Sequence, residues 1–193
     1  MTRIISGSAG GTVLDVPPRG TRPTSERVRE SLFGALDAAG LVDGARVIDL
    51  YAGSGALGLE AASRGAASVD LVEHAAQAVS LIRRNAERVA KALGSPPPIR
   101  AHRATVAGFL RDAAGPYDLV FVDPPYDVSD ADLTEALTAL APHLSPDAVV
   151  VVERAKRSPG PRWVDAGLEP LRDRVYGDTA MWWGQPLPAS QSL

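Results

Sequence analysis

The sequence contains no cysteine, which excludes a disulfide framework and any metal site built on thiolates. Histidine is scarce too: His74, His102 and His143 are scattered and make no ligand cluster, so no metal is expected. No apolar run approaches the roughly 20 residues of a membrane helix. The basic, polar N-terminus lacks the apolar stretch of a secretory signal, and cytoplasm is the expected location. A length of 193 residues gives room for one sizeable core and is short for two.

Charge is modest in total and uneven in place. The formal net charge of −3 argues against a wholesale polyanion-binding surface. Within residues 1–29, however, Arg3, Arg19, Arg22, Arg27 and Arg29 stand against only Asp15 and Glu26, and the remainder is net acidic. A basic N-terminal patch on an acidic body is compatible with docking to a polyanion, and equally with a solvated arginine-rich face.

Glycine and proline, by contrast, are plentiful and punctuate the chain. Arg3-Ile4-Ile5 and Thr12-Val13-Leu14 flank a glycine-containing loop, which predicts a small β-hairpin standing outside the main fold. Pro23-Thr24-Ser25-Glu26 reads as a helix start, followed by an apolar stripe at Val28, Leu32 and Leu36. From residue 46 onward strands and helices alternate. The apolar runs 47–50, 69–72, 99–102, 119–122 and 149–152 predict strands. Gly177-Asp178 predicts a tight turn of type II′ between two closing antiparallel strands. The fold class expected is α/β: a doubly wound, mostly parallel seven-stranded Rossmann-like sheet ending in an antiparallel hairpin. Residues 1–20 form the hairpin extension in this reading, 21–185 the main domain and 186–193 a frayed tail.

The stretch 47–58 reads as a buried strand, a glycine turn and a helix opening. Gly53 and Gly55 allow a sharp turn against which a ligand can lie, and the helix beyond leaves free N–H groups pointing into it. Gly53, Gly55 and Gly58 match a dinucleotide fingerprint, and Glu73 follows at the distance of a ribose-binding acid. These features suit NAD and S-adenosylmethionine equally. Asp49 tilts the balance, because a carboxylate facing the cofactor favours a sulfonium and an amino group over a pyrophosphate.

Asp123-Pro124-Pro125-Tyr126 follows a central strand end and would share the same crevice. The exocyclic amine of a base is a poor nucleophile, since its lone pair is delocalised into the ring. As it attacks a methyl group its N–H groups need acceptors, which an ionised Asp123 and the Pro124 carbonyl can supply. The prolines hold the backbone extended without competing N–H donors. Tyr126 offers a flat face on which an extruded base can stack.

Together, residues 3–7 (Arg-Ile-Ile-Ser-Gly), 22–30 (Arg-Pro-Thr-Ser-Glu-Arg-Val-Arg-Glu), 49–60 and 123–126 resemble the RsmD family across nearly the whole chain. Members of that family are bacterial methyltransferases that modify guanine N2 in 16S ribosomal RNA. The resemblance implies that Asp49, Tyr51, Ala52, Gly53, Ser54 and Gly55 hold the methionine end of S-adenosylmethionine, with S-adenosylhomocysteine as product. It implies that Glu73 takes the ribose and that residues 123–126 take the target amine. Many relatives carry Asp or Asn where this chain has Thr105-Val106, which leaves the adenine contact to the Thr105 hydroxyl or to backbone there. The hairpin gains an RNA-docking role, with Arg3, Arg19, Arg22, Arg27, Arg29, Lys156 and Arg157 as phosphate contacts. The implied partner is 16S RNA within a small-subunit particle, met by a monomer. The rival readings are a DNA adenine-N6 methyltransferase, a nucleotide-cofactor oxidoreductase and a non-catalytic RNA-binding assembly factor.

Overall fold

The computed structural model describes residues 2–17 and 26–188. The chain opens with β1 (Thr2–Arg3) and β2 (Val13–Leu14), an antiparallel pair forming its own two-stranded sheet. Helix α1 (Glu26–Ala38) follows, and its predicted start at Pro23 lies outside the described residues. The alternating part comprises β3 (Arg46–Leu50), α2 (Ala56–Ser63), β4 (Ser68–Glu73), α3 (Ala76–Leu93), β5 (Ile99–Arg103) and α4 (Val106–Arg111). It continues with β6 (Tyr117–Val122), α5 (Asp130–Leu140) and β7 (Leu144–Ala155). The closing hairpin is β8 (Leu168–Tyr176) and β9 (Thr179–Pro186), and Gly177 takes a φ of 58° in its turn.

The seven strands lie in the order β5-β4-β3-β6-β7-β9-β8, parallel from β5 to β7, with β9 and β8 antiparallel. The predicted doubly wound sheet with its antiparallel end is therefore present. The chain winds outward from β3 through β4 to β5 and then returns to β6 on the other side of β3. A crevice opens at such a reversal, beyond the carboxyl ends of the strands.

Both sheet faces are covered, so the central strands β3, β4, β6 and β7 are mostly apolar while successive side chains alternate, and the edge strand β5 carries Arg100, His102 and Arg103. Val47, Leu71, Leu119, Phe121 and Val151 pack with residues of α1, α2 and α3. Ile48, Leu50, Val72, Val120, Val122 and Val152 pack with residues of α4 and α5.

The hairpin expectation needs one correction. It lies outside the main sheet but not outside the core, because Ile4, Ala9 and Leu14 are buried among the residues of α1–α3. Its attachment is also polar. Glu60 on α2 is 0% exposed and accepts the Ile5 N–H at 2.7 Å and the Ser6 N–H at 3.0 Å. Arg64, one turn on, neutralises it at 2.8 Å. A two-residue strand pair has too little ladder to stand alone, so burial and this clamp hold it.

Candidate active site

Register brings the strand ends level. Leu50 stands opposite Val72 and Val122, and Val122 opposite Val152. The residues just beyond these ends converge on a cavity of about 880 Å³. Its walls include Asp49, Tyr51, Ala52, Gly53, Ser54, Glu73, Thr105, Val106 and all of residues 123–126. Sites assigned from separate motifs thus share one chamber; Gly55 sits behind it, capping α2 with a φ of 78°.

Asp49 is buried at the end of β3 and accepts the Gly58 N–H at 3.0 Å. Burial is the main cause that lifts its pKa to about 7; the Gly58 hydrogen bond opposes the shift and the nearby Glu73 charge adds to it. A carboxylate so placed is stabilised by a cationic ligand. Gly58 allows this contact because a Cβ there would stand 2.4 Å from a Leu71 methyl and 2.9 Å from one of Val69.

The turn itself is fixed by side chains. Glu73 accepts the Gly53 N–H at 3.1 Å through Oε2 and the Ala75 N–H at 2.8 Å through Oε1. Each oxygen keeps lone-pair capacity for a further donor. Asn85, buried on α3, donates to the Ser54 and Asp15 carbonyls, both at 2.9 Å, and accepts the Asp15 N–H at 2.9 Å. Tyr51 adopts a φ of 63°, the sole positive value among described non-glycine residues. Its phenol is shifted upward by burial and then by the charge of Asp132.

Beyond β6, the strand beside β3, Pro124 is buried while Pro125 and Tyr126 are exposed, Tyr126 by 70%. Asp123 is half-buried between them and the end of β6. Residues 123–126 also border a smaller cleft with Glu153, Arg154 and Ala155 at the end of β7. Thr105 caps α4, its hydroxyl oxygen accepting the Gly108 N–H at 3.1 Å, which leaves its O–H for a ligand.

The arginines divide. Arg3 and Arg27 are exposed, Arg3 paired with Glu26 at 3.4 Å. Lys156 and Arg157 are exposed just past β7, beside the cleft. Arg19 and Arg22 lie outside the described residues. Arg29 does not belong to a surface patch: it is 1% exposed and lines the cavity from α1. Its spacing from Leu32, Phe33 and Leu36 put it on the apolar face, a signal the sequence already held. Asn85 was legible in the same way, between Ile82 and Val89 on the buried stripe of α3. Asp132 and Glu135, which line the cavity from α5, carried no such mark. Among the described residues no cluster of histidine and acidic side chains is placed to hold a metal.

Comparison with known proteins places the chain. The family model described as Conserved hypothetical protein 95 matches residues 2–185. Ribosomal RNA small subunit methyltransferase D of Escherichia coli K12 is 37% identical over 184 residues, covering 92% of this chain and 86% of that protein. The solved structure of the putative methyltransferase yhhF from Escherichia coli superposes with a TM-score of 0.76 at 33% identity, across 97% of this chain and 99% of that one. A magnesium protoporphyrin IX methyltransferase from Synechocystis, solved with bound SAM, shares the fold at a TM-score of 0.67 and 18% identity, over 83% of this chain and 79% of its own. A family model spanning nearly the whole chain, with relatives of this similarity, makes the protein a member of the RsmD family of methyltransferases.

Proposed function

We propose that the protein transfers a methyl group from S-adenosylmethionine to the exocyclic N2 amine of a guanine in 16S ribosomal RNA. One observation carries the reading: the glycine turn with its buried Asp49 and the Asp123-Pro124-Pro125-Tyr126 turn line the same cavity. The lining suits the cofactor. Asp49, Glu73, Asp123, Asp127, Asp132 and Glu135 make it acidic, which favours a sulfonium and disfavours the pyrophosphate of NAD.

When bound, S-adenosylmethionine supplies a methyl group on a positively charged sulfur and leaves as S-adenosylhomocysteine. Asp49 and the 51–55 turn hold its methionine end, Glu73 its ribose, and the Thr105 hydroxyl with the Val106 backbone its adenine. Tyr126 stacks the extruded guanine, so the amine enters in line with the methyl. The Asp123 carboxylate and the Pro124 carbonyl accept its N–H groups as positive charge develops on nitrogen, and Asp123 takes the proton that is lost. Phosphates of the RNA dock on Arg3, Arg27, Lys156 and Arg157, with Arg19 and Arg22 adding to the same basic segment. The substrate is a structured small-subunit particle in the cytoplasm, met by a monomer.

The decisive experiment is mass spectrometry of ribosomal RNA nucleosides from a strain lacking this protein. One N2-methylguanosine should vanish and return with the wild-type chain; an unchanged nucleoside profile would overturn the proposal. Calorimetry separates the oxidoreductase rival, since S-adenosylhomocysteine should bind and NAD should give no heat.

A further inference from the structure

The buried face of α1 carries a charge that the fold leaves half satisfied. Arg29 Nη2 donates to Thr2 Oγ1 at 2.7 Å and to the Arg3 carbonyl at 2.8 Å. Its Nε and Nη1 are buried with no acceptor in the protein. Glu60 and Glu26 act on it through space only, and Glu60 has committed its oxygens to Ile5, Ser6 and Arg64. Tethering β1 would need nothing more than a neutral donor. An uncompensated guanidinium is instead one of the costlier groups a fold can bury, unless an anion completes it.

The place of Arg29 says which anion. It lines the large cavity with Thr2, Val16 and Pro17, and Asp49 lines the same cavity. We propose that Arg29 receives the α-carboxylate of the cofactor's amino-acid end, an inference that rests on the methyl-transfer reading above. That end of S-adenosylmethionine or S-adenosylhomocysteine is a zwitterion. A buried carboxylate and a buried guanidinium in one chamber answer both of its charges. The adenosine and the sulfur carry no negative charge, so the carboxylate is the anion that the cofactor brings. Arg29 is on this account a binding residue that selects ligands carrying the amino acid over thioadenosine nucleosides that lack it. The first helix, outside the alternating fold, then completes the cofactor site.

The test is to titrate S-adenosylhomocysteine and its decarboxylated analogue into wild-type protein, Arg29→Lys and Arg29→Met. Wild type should prefer the carboxylate-bearing ligand by roughly 10- to 100-fold, the worth of a hydrogen bond to a charged group. Arg29→Met should bind the two about equally, and Arg29→Lys should keep part of the preference as a point charge. Persistence of the full preference in Arg29→Met overturns the inference, as does a wild type that binds both ligands equally. A wild type that binds neither overturns the methyl-transfer reading as well. Because Arg29→Met removes the tie to Thr2 and could unfold the chain, a second measurement uses wild type alone. The Arg29 Nε–H resonance in a nitrogen-15 spectrum should move on adding S-adenosylhomocysteine and stay in place with the decarboxylated analogue. Equal shifts with both ligands overturn the proposal.

Discussion

Two turns leave the neighbouring strands β3 and β6, line one cavity and are held in different ways. The 51–55 turn is fixed by buried or part-buried side chains: Glu73 on Gly53, Asn85 on Ser54, and Asp49 on Gly58 just beyond. The 123–126 turn carries two stiff proline rings, with the Asp123 N–H donating to the Leu50 carbonyl at 3.4 Å and the Val128 N–H to the Pro125 carbonyl at 3.1 Å, and it ends on an exposed tyrosine. The difference matches what each side receives in the proposed reaction. A small ligand with several polar groups is recognised by a preformed and enclosed surface. A base delivered by a macromolecule needs an open face and a few acceptors whose positions do not shift. Ligand affinity should therefore reside in the first turn and turnover in the second.

The largest effect should come from breaking the target side. Asp123→Ala should lower kcat by about 100- to 1000-fold, as loss of a prearranged electrostatic partner does, while affinity for S-adenosylhomocysteine stays within a few-fold. A matching collapse of cofactor affinity would erase the division between the turns.

Breaking the cofactor side comes next. Asp49→Asn keeps an acceptor for the Gly58 N–H but removes the charge, so affinity for S-adenosylmethionine should fall roughly 10- to 100-fold. Because the Asp49 pKa is raised to about 7, the wild-type affinity should climb as pH rises through that value and then level off; Asp49→Asn should show no such step. Stability moves the other way. Between about pH 4, the ordinary carboxylate range, and pH 7 the folded chain holds a proton that the unfolded chain has released. The Asp49 contribution to stability therefore declines as pH rises across that window. Equal pH profiles for the two proteins, in calorimetry and in thermal melts, would show that Asp49 is not the titrating group.

The smallest effect sharpens the picture. Tyr126→Ala should raise KM for the RNA about tenfold through lost stacking, with little change in kcat or in cofactor affinity. A fall confined to kcat would make Tyr126 a positioning group for the reaction instead of a platform for the base.

Much of this was legible in the sequence, and for physical reasons. Glycine turns, apolar strands and an acid at a strand end are local signals, and the sheet orders them without further choice. What stayed hidden depended on partners distant in the chain. Nothing near Glu60 announces that its carboxylate receives Ile5 and Ser6 from 54 or more residues away. Arginine is usually exposed, which argues for surface at Arg29, yet its spacing from Leu32 and Leu36 places it inside. In both cases a polar residue stood at an apolar position of a helix. That mismatch was the available clue.

The Glu60 clamp has a consequence for motion. Backbone amides near a chain terminus ordinarily exchange with solvent within moments, because the end of the chain frays independently of the rest. Here the Ile5 and Ser6 amides end on a carboxylate that is 0% exposed and belongs to the helix behind the glycine turn. Releasing them strips the buried Glu60 carboxylate of two of its hydrogen bonds, a cost that couples them to α2. Their deuterium uptake should therefore track that of the Ile48 amide in the central strand, and rapid uptake at Ile5 would show that the clamp opens by itself. With the clamp closed, the Ile5 and Ser6 amides are among the last to open to solvent.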